Sequence, residues 1–431
     1  MYIEPADRMR PRLRRLRCRA AIIPVLLCAS AGAAYGDDAP ATPMFSFGGF
    51  GTAGVVHSSI DAADFVADSL EGSGAGYSRR WSAAVDSLLG LQVTATINTQ
   101  LSAVLQVISE QNYDKNFSPH VEWANIKYQF TPDFSVRVGR TAQPAFMVTD
   151  SRNVGYANPW VRPPVEVYNL DPVTSNDGID LSYRMPIGAA TNTLQFTAGR
   201  SDFSVPGSGP DGGGGVASHQ QLLLDDTLEQ GFATLRVSYL HSRITVAAFE
   251  PLFAAFAQFG AQGIAVTNEY DANDRPASFG SVSLAYDPGS WFAMGEWGRL
   301  DTSSIAGDKS GWYLSGGYRY SQITAFATYG DTNTSTNRSV TALNPAGLPP
   351  ALAAAAYALN GALNSALEDI PVQDTISIGA RWDFMKNFDL KLQIDHTRLG
   401  AGSYGALENV QPGFHLGSTV NVFSSTIDFV F

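Results

Sequence analysis

The sequence predicts an all-β fold: a transmembrane antiparallel β-barrel of about sixteen strands, with short turns at one end and long loops at the other. Three observations predict it. Apolar and polar residues alternate with a period of two, short turns and long connections succeed one another, and the sequence closes on the alternating run Ile427-Asp428-Phe429-Val430-Phe431.

Composition sets the bounds. Of 431 residues, 45% are apolar and only 16% charged, with 11% aromatic, so the chain has the material for an ordered structure rather than a disordered one. The balance of 28 Lys and Arg against 40 Asp and Glu argues against a broad basic face for nucleic acid. Seven Arg between Arg8 and Arg19 precede an apolar run from Ala20 to about Leu27, then small residues ending in Ala34-Tyr35-Gly36. That order predicts a secretory signal over residues 1–36, cleaved before Asp37. The run is too short to span a bilayer. Both cysteines, Cys18 and Cys28, fall inside it, so residues 37–431 carry no disulfide, thiolate metal site or cysteine nucleophile.

The strands follow from the alternation. Val121 to Phe130 places Ala124, Ile126, Tyr128 and Phe130 on one face and Asn125, Lys127 and Gln129 on the other. Thr375 to Phe384 and Phe388 to His396 repeat the pattern, each with one apolar and one polar face. Seven short turns are predicted near 98–99, 131–133, 185–191, 241–242, 287–290, 321–322 and 385–387. Eight long connections fall near 58–81, 111–120, 141–175, 201–231, 251–277, 301–310, 331–373 and 398–419. Such sorting is the signature of an outer-membrane barrel, whose lipid-facing and lumen-facing residues alternate. Within the seventh connection, residues 346–368 read as a helical segment, because Leu352, Leu359, Leu363 and Leu367 fall on one face.

Aromatic residues gather beside the short turns: Tyr128, Phe130, Phe134, Tyr239, Trp291, Tyr320, Trp382 and Phe384 among them. Rings prefer the headgroup level of a bilayer, which predicts an aromatic belt there. The closing strand, pairing with the first, would remove both sheet edges.

With these features the chain resembles the general porins of Gram-negative bacteria, sixteen-stranded trimeric channels for small hydrophilic solutes. The resemblance covers the architecture of residues 37–431. It is carried locally by Phe47-Gly48-Gly49-Phe50-Gly51-Thr52-Ala53-Gly54 and by the run from Val154 to Tyr168, VGYANPWVRPPVEVY. It implies residence in the outer membrane, contact with lipid and lipopolysaccharide, a homotrimer, and Phe429 and Phe431 as the signal read by the barrel assembly machinery. It also implies that the third loop, residues 141–175, folds into the bore and narrows it. The acidic loop tip of the best-known enteric porins is missing, so their ion selectivity does not transfer. The constriction candidates are Asp150, Arg152, Arg162 and Glu166 on that loop, with Lys127 and Arg137 on the wall.

Register sharpens the wall assignment. A three-residue turn at 131–133 pairs Phe130 with Phe134 and sets Lys127 opposite Arg137 on the wet face; two facing cations need an anion or solvent to screen them. The same counting sets Arg381 opposite Lys391 and Asp383 opposite Asp389. Seven bases (Lys127, Arg137, Arg184, Arg236, Arg319, Arg381, Lys391) then face seven acids (Asp86, Glu110, Asp180, Glu296, Asp383, Asp389, Asp395), an overall neutral lumen.

Other signals are weak. Gly207-Ser208-Gly209-Pro210-Asp211-Gly212 matches a nucleotide-binding pattern by letter but has no βαβ context. Asp271, Asn273 and Asp274, or Asp225 and Asp226, lack the spacing of a calcium loop, so neither a metal nor a cofactor is expected. An outer-membrane hydrolase would need Ser, His and an acid in reach; His57, His241 and His396 are available, but there is no G-x-S-x-G, and no enzyme activity is expected. The alternatives are a plugged structural or adhesive barrel and a substrate-specific channel, the latter with eighteen strands.

Overall fold

The computed structural model describes residues 44–206, 213–337 and 339–431; the predicted signal segment and the Gly-rich run 207–212 lie outside the described residues. Sixteen strands carry the architecture: β1 (Phe45–Ser58), β2 (Leu88–Thr96), β3 (Leu101–Glu110), β4 (His120–Thr131), β5 (Phe134–Ala142), β6 (Ser175–Ile187), β7 (Ala190–Pro206) and β8 (Gly213–Gln230). They continue as β9 (Ala233–Val246), β10 (Arg275–Tyr286), β11 (Trp291–Asp301), β12 (Lys309–Tyr320), β13 (Ile323–Thr334), β14 (Gln373–Met385), β15 (Phe388–Leu399) and β16 (Thr419–Val430). Each pairs antiparallel with its neighbours in sequence, and β1 pairs with both β2 and β16, so the sheet closes into a barrel. Closure satisfies the backbone of every strand, which is what a sheet must do to cross lipid. No helix among the described residues is long and apolar enough to cross a membrane.

The closing seam depends on two glycines. A Cβ on Gly49 would lie 2.4 Å from the Phe431 ring, and one on Gly51 2.5 Å from that of Phe429. Their bare backbones make the grooves into which both rings fit. Phe431 and Gly49 exchange two backbone hydrogen bonds of 3.0 Å, extending the seam past β16.

One turn lies ten residues from its predicted place. His241 and Ser242 are not a turn but run inside β9, paired with Ser278 and Ala277 of β10. The chain reverses instead at Gly231–Phe232, where Gly231 takes φ +60°. The predicted long connection 201–231 is correspondingly mostly strand, since β7 and β8 run to 17 and 18 residues. The polar pair His241-Ser242 mimics a turn, but it continues the alternation: His241 is exposed on the outer face and Ser242 is buried inside. Tyr239 therefore lies mid-strand, away from the short-turn end.

The outer face is apolar and open, with Leu91, Ile126, Val138, Leu314, Ile378 and Ile394 all exposed. At the short-turn end several predicted belt rings touch in series with Tyr183, Phe429 and Phe431. Tyr128, Phe130, Phe134 and Tyr183 follow at 4.6, 5.6 and 6.4 Å between centroids, and Trp382, Phe384, Phe388, Phe429 and Phe431 at 5.6, 6.3, 5.8 and 6.3 Å. Trp291 packs on Tyr286 at 5.3 Å, and Tyr320 is exposed.

At the other end, the predicted helix forms as Pro350–Glu368. Two further helices, Glu250–Ala257 and Gly260–Tyr270, lie in the predicted long connection near 251–277. The three share a core of their own around Phe253, Phe256, Val266, Leu363 and Leu367.

Candidate functional site

The third long loop, residues 143–174, crosses the bore. Five prolines (Pro144, Pro159, Pro163, Pro164, Pro172) restrict its backbone, and it contains only short helical turns. Its attachments to the wall run from β9 to β16. Ser238 of β9 and Ser281 of β10 both donate to the Ala145 carbonyl, at 2.8 and 2.7 Å. Arg236 of β9 donates to the Phe146 carbonyl at 2.8 Å. Tyr168 Oη donates to Glu296 of β11 at 3.1 Å, and Trp160 Nε1 to Ser315 of β12 at 2.9 Å and Thr328 of β13 at 3.1 Å. Lys391 of β15 donates to the Gly155 carbonyl at 2.6 Å, and Arg381 of β14 to that of Tyr156 at 2.5 Å.

An apolar seal lies beneath these bonds. Ala145, Phe146, Trp160, Val167, Tyr168 and Leu170 of the loop pack with Leu223, Leu240, Phe279, Phe292, Met294, Tyr313 and Phe326, all inward from β8 to β13. The expectation of a polar inner face therefore fails over this sector. Alternation alone did not reveal it, because Phe279 and Tyr313 occupy lumen positions between Ser and Gly residues and their lengthwise neighbours still read as wet. Transfer of these side chains from water holds the loop at roughly 25 cal/mol per Å² of apolar surface covered.

The six candidate constriction residues divide into three groups. Arg162 is 7% exposed and bridges Asp86 (Nε 2.8 Å, Nη2 2.7 Å) and Asp395 (Nη1 3.0 Å), joining the loop to the segment before β2 and to β15. Glu166 is 3% exposed and accepts from Gln373 at 2.8 Å and Thr375 at 2.5 Å of β14; burial raises its carboxyl above the ordinary range. Both are latch residues between loop and wall. Arg152 joins the loop to Asp68 of the first long loop at 2.7 Å and stacks on Tyr168. Asp150 is exposed, within electrostatic reach of Arg236 and Asp225.

Lys127 and Arg137 do stand opposite each other, facing inward from β4 and β5. A register shift near Phe130 replaces the predicted Phe130–Phe134 pair, with Thr131 opposite Phe134. The anion beside Arg137 comes from the wall. Arg137 Nε donates to Asp180 of β6 at 2.7 Å, and Gln195 and Thr197 of β7 donate to the same carboxylate. Arg381 stands opposite Lys391 as predicted, and its diagonal partner Asp389 lies at 3.2 Å. Two buried lumen acids lie outside the predicted inward set: Asp225, paired with Arg236, and Asp428, paired with Lys391. With the turn at Gly231, residues 213–230 are strand and Asp225 falls on its inner face.

Among the described residues no group of three metal-ligating side chains forms. Asp274, offered as a weak calcium ligand, is held by Arg243 at 2.6 Å. Asp225 and Asp226 are successive in β8 and point to opposite faces.

Fold and site together define a closed sixteen-stranded barrel with a third loop fixed inside it. Solved structures similar to it include outer-membrane proteins and porins. OmpF of Salmonella typhi, in complex with daunomycin, superposes with a TM-score of 0.52 over 90% of this chain and 97% of its own, at 13% identity. The anion-selective porin of Comamonas acidovorans gives 0.49 at 12% identity, over 90% of this chain and 99% of its own. A loop-deletion form of OmpT, an outer-membrane protein of Vibrio cholerae, gives 0.49 at 10% identity, over 90% and 100%. No family model and no curated protein matches the sequence. The likeness to OmpF supports the fold.

Proposed function

We propose that this chain forms a water-filled channel for passive diffusion of small hydrophilic solutes and ions across the outer membrane of a Gram-negative cell. One observation carries the reading: the third loop is pinned to one half of the wall, while the other half presents polar groups to the bore. Gln92 and Thr94 of β2, Asn125 and Lys127 of β4, Arg137 of β5 and Arg184 of β6 face inward and are partly or well exposed. The solute path therefore follows β2 to β7, with the loop edge at Asp150 as its other bank. The apolar outer face and the ring series at the short-turn end fit a lipid surround with a belt at one interface. A trimer and export by a cleaved signal over residues 1–36 complete the proposal, with Phe429 and Phe431 as the assembly signal. No chemistry is assigned to the barrel: His57 and His241 stand on its outer face, away from the latch acids, and His396 is held there by Asn421 at 2.7 Å.

Planar-bilayer recording tests this. Purified protein should give stepwise conductance. Lys127→Gln combined with Arg137→Gln should shift the reversal potential toward cations, because rings or banks of one charge select against the other. Silence from correctly folded protein would favour a plugged structural barrel instead.

A further inference from the structure

Above the third loop, a cavity of about 320 Å³ opens between the tall ends of β7 to β9 and the seventh and eighth long loops. One wall is apolar: Phe203 and Val205 of β7, Val216 of β8, Ile244 of β9, and Phe249, all half-buried. This is the sector where strands of 17 and 18 residues replace a loop, so the wall is rigid sheet.

The facing side is acidic and short of partners. Asp171 of the third loop, Asp369 of the seventh and Glu408 of the eighth line it, with Lys309 of β12 as the base among them. Among the described residues, Lys309, Asp369 and Glu408 make no ion pair within 4.0 Å. Burial, then the proximity of Asp369 and Asp64, pushes the Glu408 carboxyl up to about 8, so a cation placed beside it would favour its ionised form. Gln143, only 2% exposed, also lines the cavity; its Nε2 donates to Asp171 at 2.6 Å, while among the described residues its Oε1 accepts from nothing. The side-chain amide of Asn169 is likewise unpaired among the described residues. A buried acceptor without a donor costs free energy that a ligand's N–H would recover.

We infer that this cavity is a binding site for small amphiphilic cations, with an amine at the carboxylates and Gln143 and an apolar body against Phe203, Val216 and Ile244. Such a site collects solute at the mouth of the bore before passage. It goes beyond the channel reading, since occupancy there does not depend on conduction.

Calorimetric titration of the detergent-solubilised barrel with 2-phenylethylammonium and with 3-phenylpropionate tests the inference. The amine should bind saturably and about tenfold tighter than the acid, the size of effect that one favourable charge contact produces. Asp369→Asn with Glu408→Gln should weaken the amine by about tenfold, and Lys309→Gln should strengthen it a few-fold, since it removes a like charge. Equal binding of amine and acid, or an unchanged amine affinity in both variants, overturns the site. Conductance read on the same preparation separates the two ideas: a conducting barrel that does not discriminate loses the cavity alone, and a silent one that does discriminate loses the channel alone.

Discussion

Two sectors of the inner wall are built on opposite principles. From β8 to β13 the lumen positions hold Leu223, Leu240, Phe279, Phe292, Met294, Tyr313 and Phe326, sealed under the third loop. From β2 to β7 they hold amides, hydroxyls and ions such as Gln92, Lys127, Arg137 and Asp180. On the channel reading the bore is thus off-centre, with one bank a packed core and the other a polar surface. The difference teaches that a loop can be fixed in a polar lumen by making part of that lumen apolar. Polar bonds then set its register.

The comparison breaks most readily at the latch. Arg162→Ala leaves Asp86 and Asp395, at 3% and 5% side-chain exposure, without their shared cation. Breaking a buried pair from one side costs about 3–5 kcal/mol, so the loop should loosen and single-channel current become larger and noisier. Trp160→Ala removes a 1%-exposed side chain from the seal and should cost a similar or slightly smaller amount, about 3 kcal/mol, read as a lower unfolding temperature in detergent.

Acid should sharpen the contrast. Burial pushes the Asp171 carboxyl at the loop root up to about 6. A raised carboxyl means that the folded state holds its proton longer than the unfolded chain does. The stability it contributes is therefore full below the ordinary Asp range and is lost as pH rises through about 6. Asp171→Asn should flatten that slope, worth on the order of 1 kcal/mol once cavity water screens it, while wild-type unfolding temperature falls between pH 4 and 7. The smallest effect is at His57, on the outer face beside Trp81 at 4.5 Å; His57→Ala should leave solute flux unchanged in liposome swelling.

Strand number, the helix at Pro350–Glu368 and the Lys127–Arg137 pairing were legible because period-two patterning and a Pro-Asp turn act over a few residues. The dry sector was not legible. Whether Phe279 faces lipid, water or a loop is decided by residues such as Phe146, 133 positions away in sequence, and no local pattern carries that. Arg162 and Glu166 were legible as charged residues of an infolded loop, yet their role depends on Asp86, Asp395 and Thr375 arriving from three other segments. The turn at Gly231 was masked by a polar dipeptide that happens to lie in register.

Residues 37–431 lack cysteine, which permits a direct test of which bank is wet. Single cysteines at Gln92, Thr94 or Lys127 on one bank, and at Ser315 or Thr328 under Trp160 on the other, can be treated with a charged, membrane-impermeant thiol reagent during bilayer recording. The off-centre bore predicts fast labelling and reduced current for the first three, with Ser315→Cys and Thr328→Cys silent. Labelling of the Trp160 side as fast as the Lys127 side would contradict it.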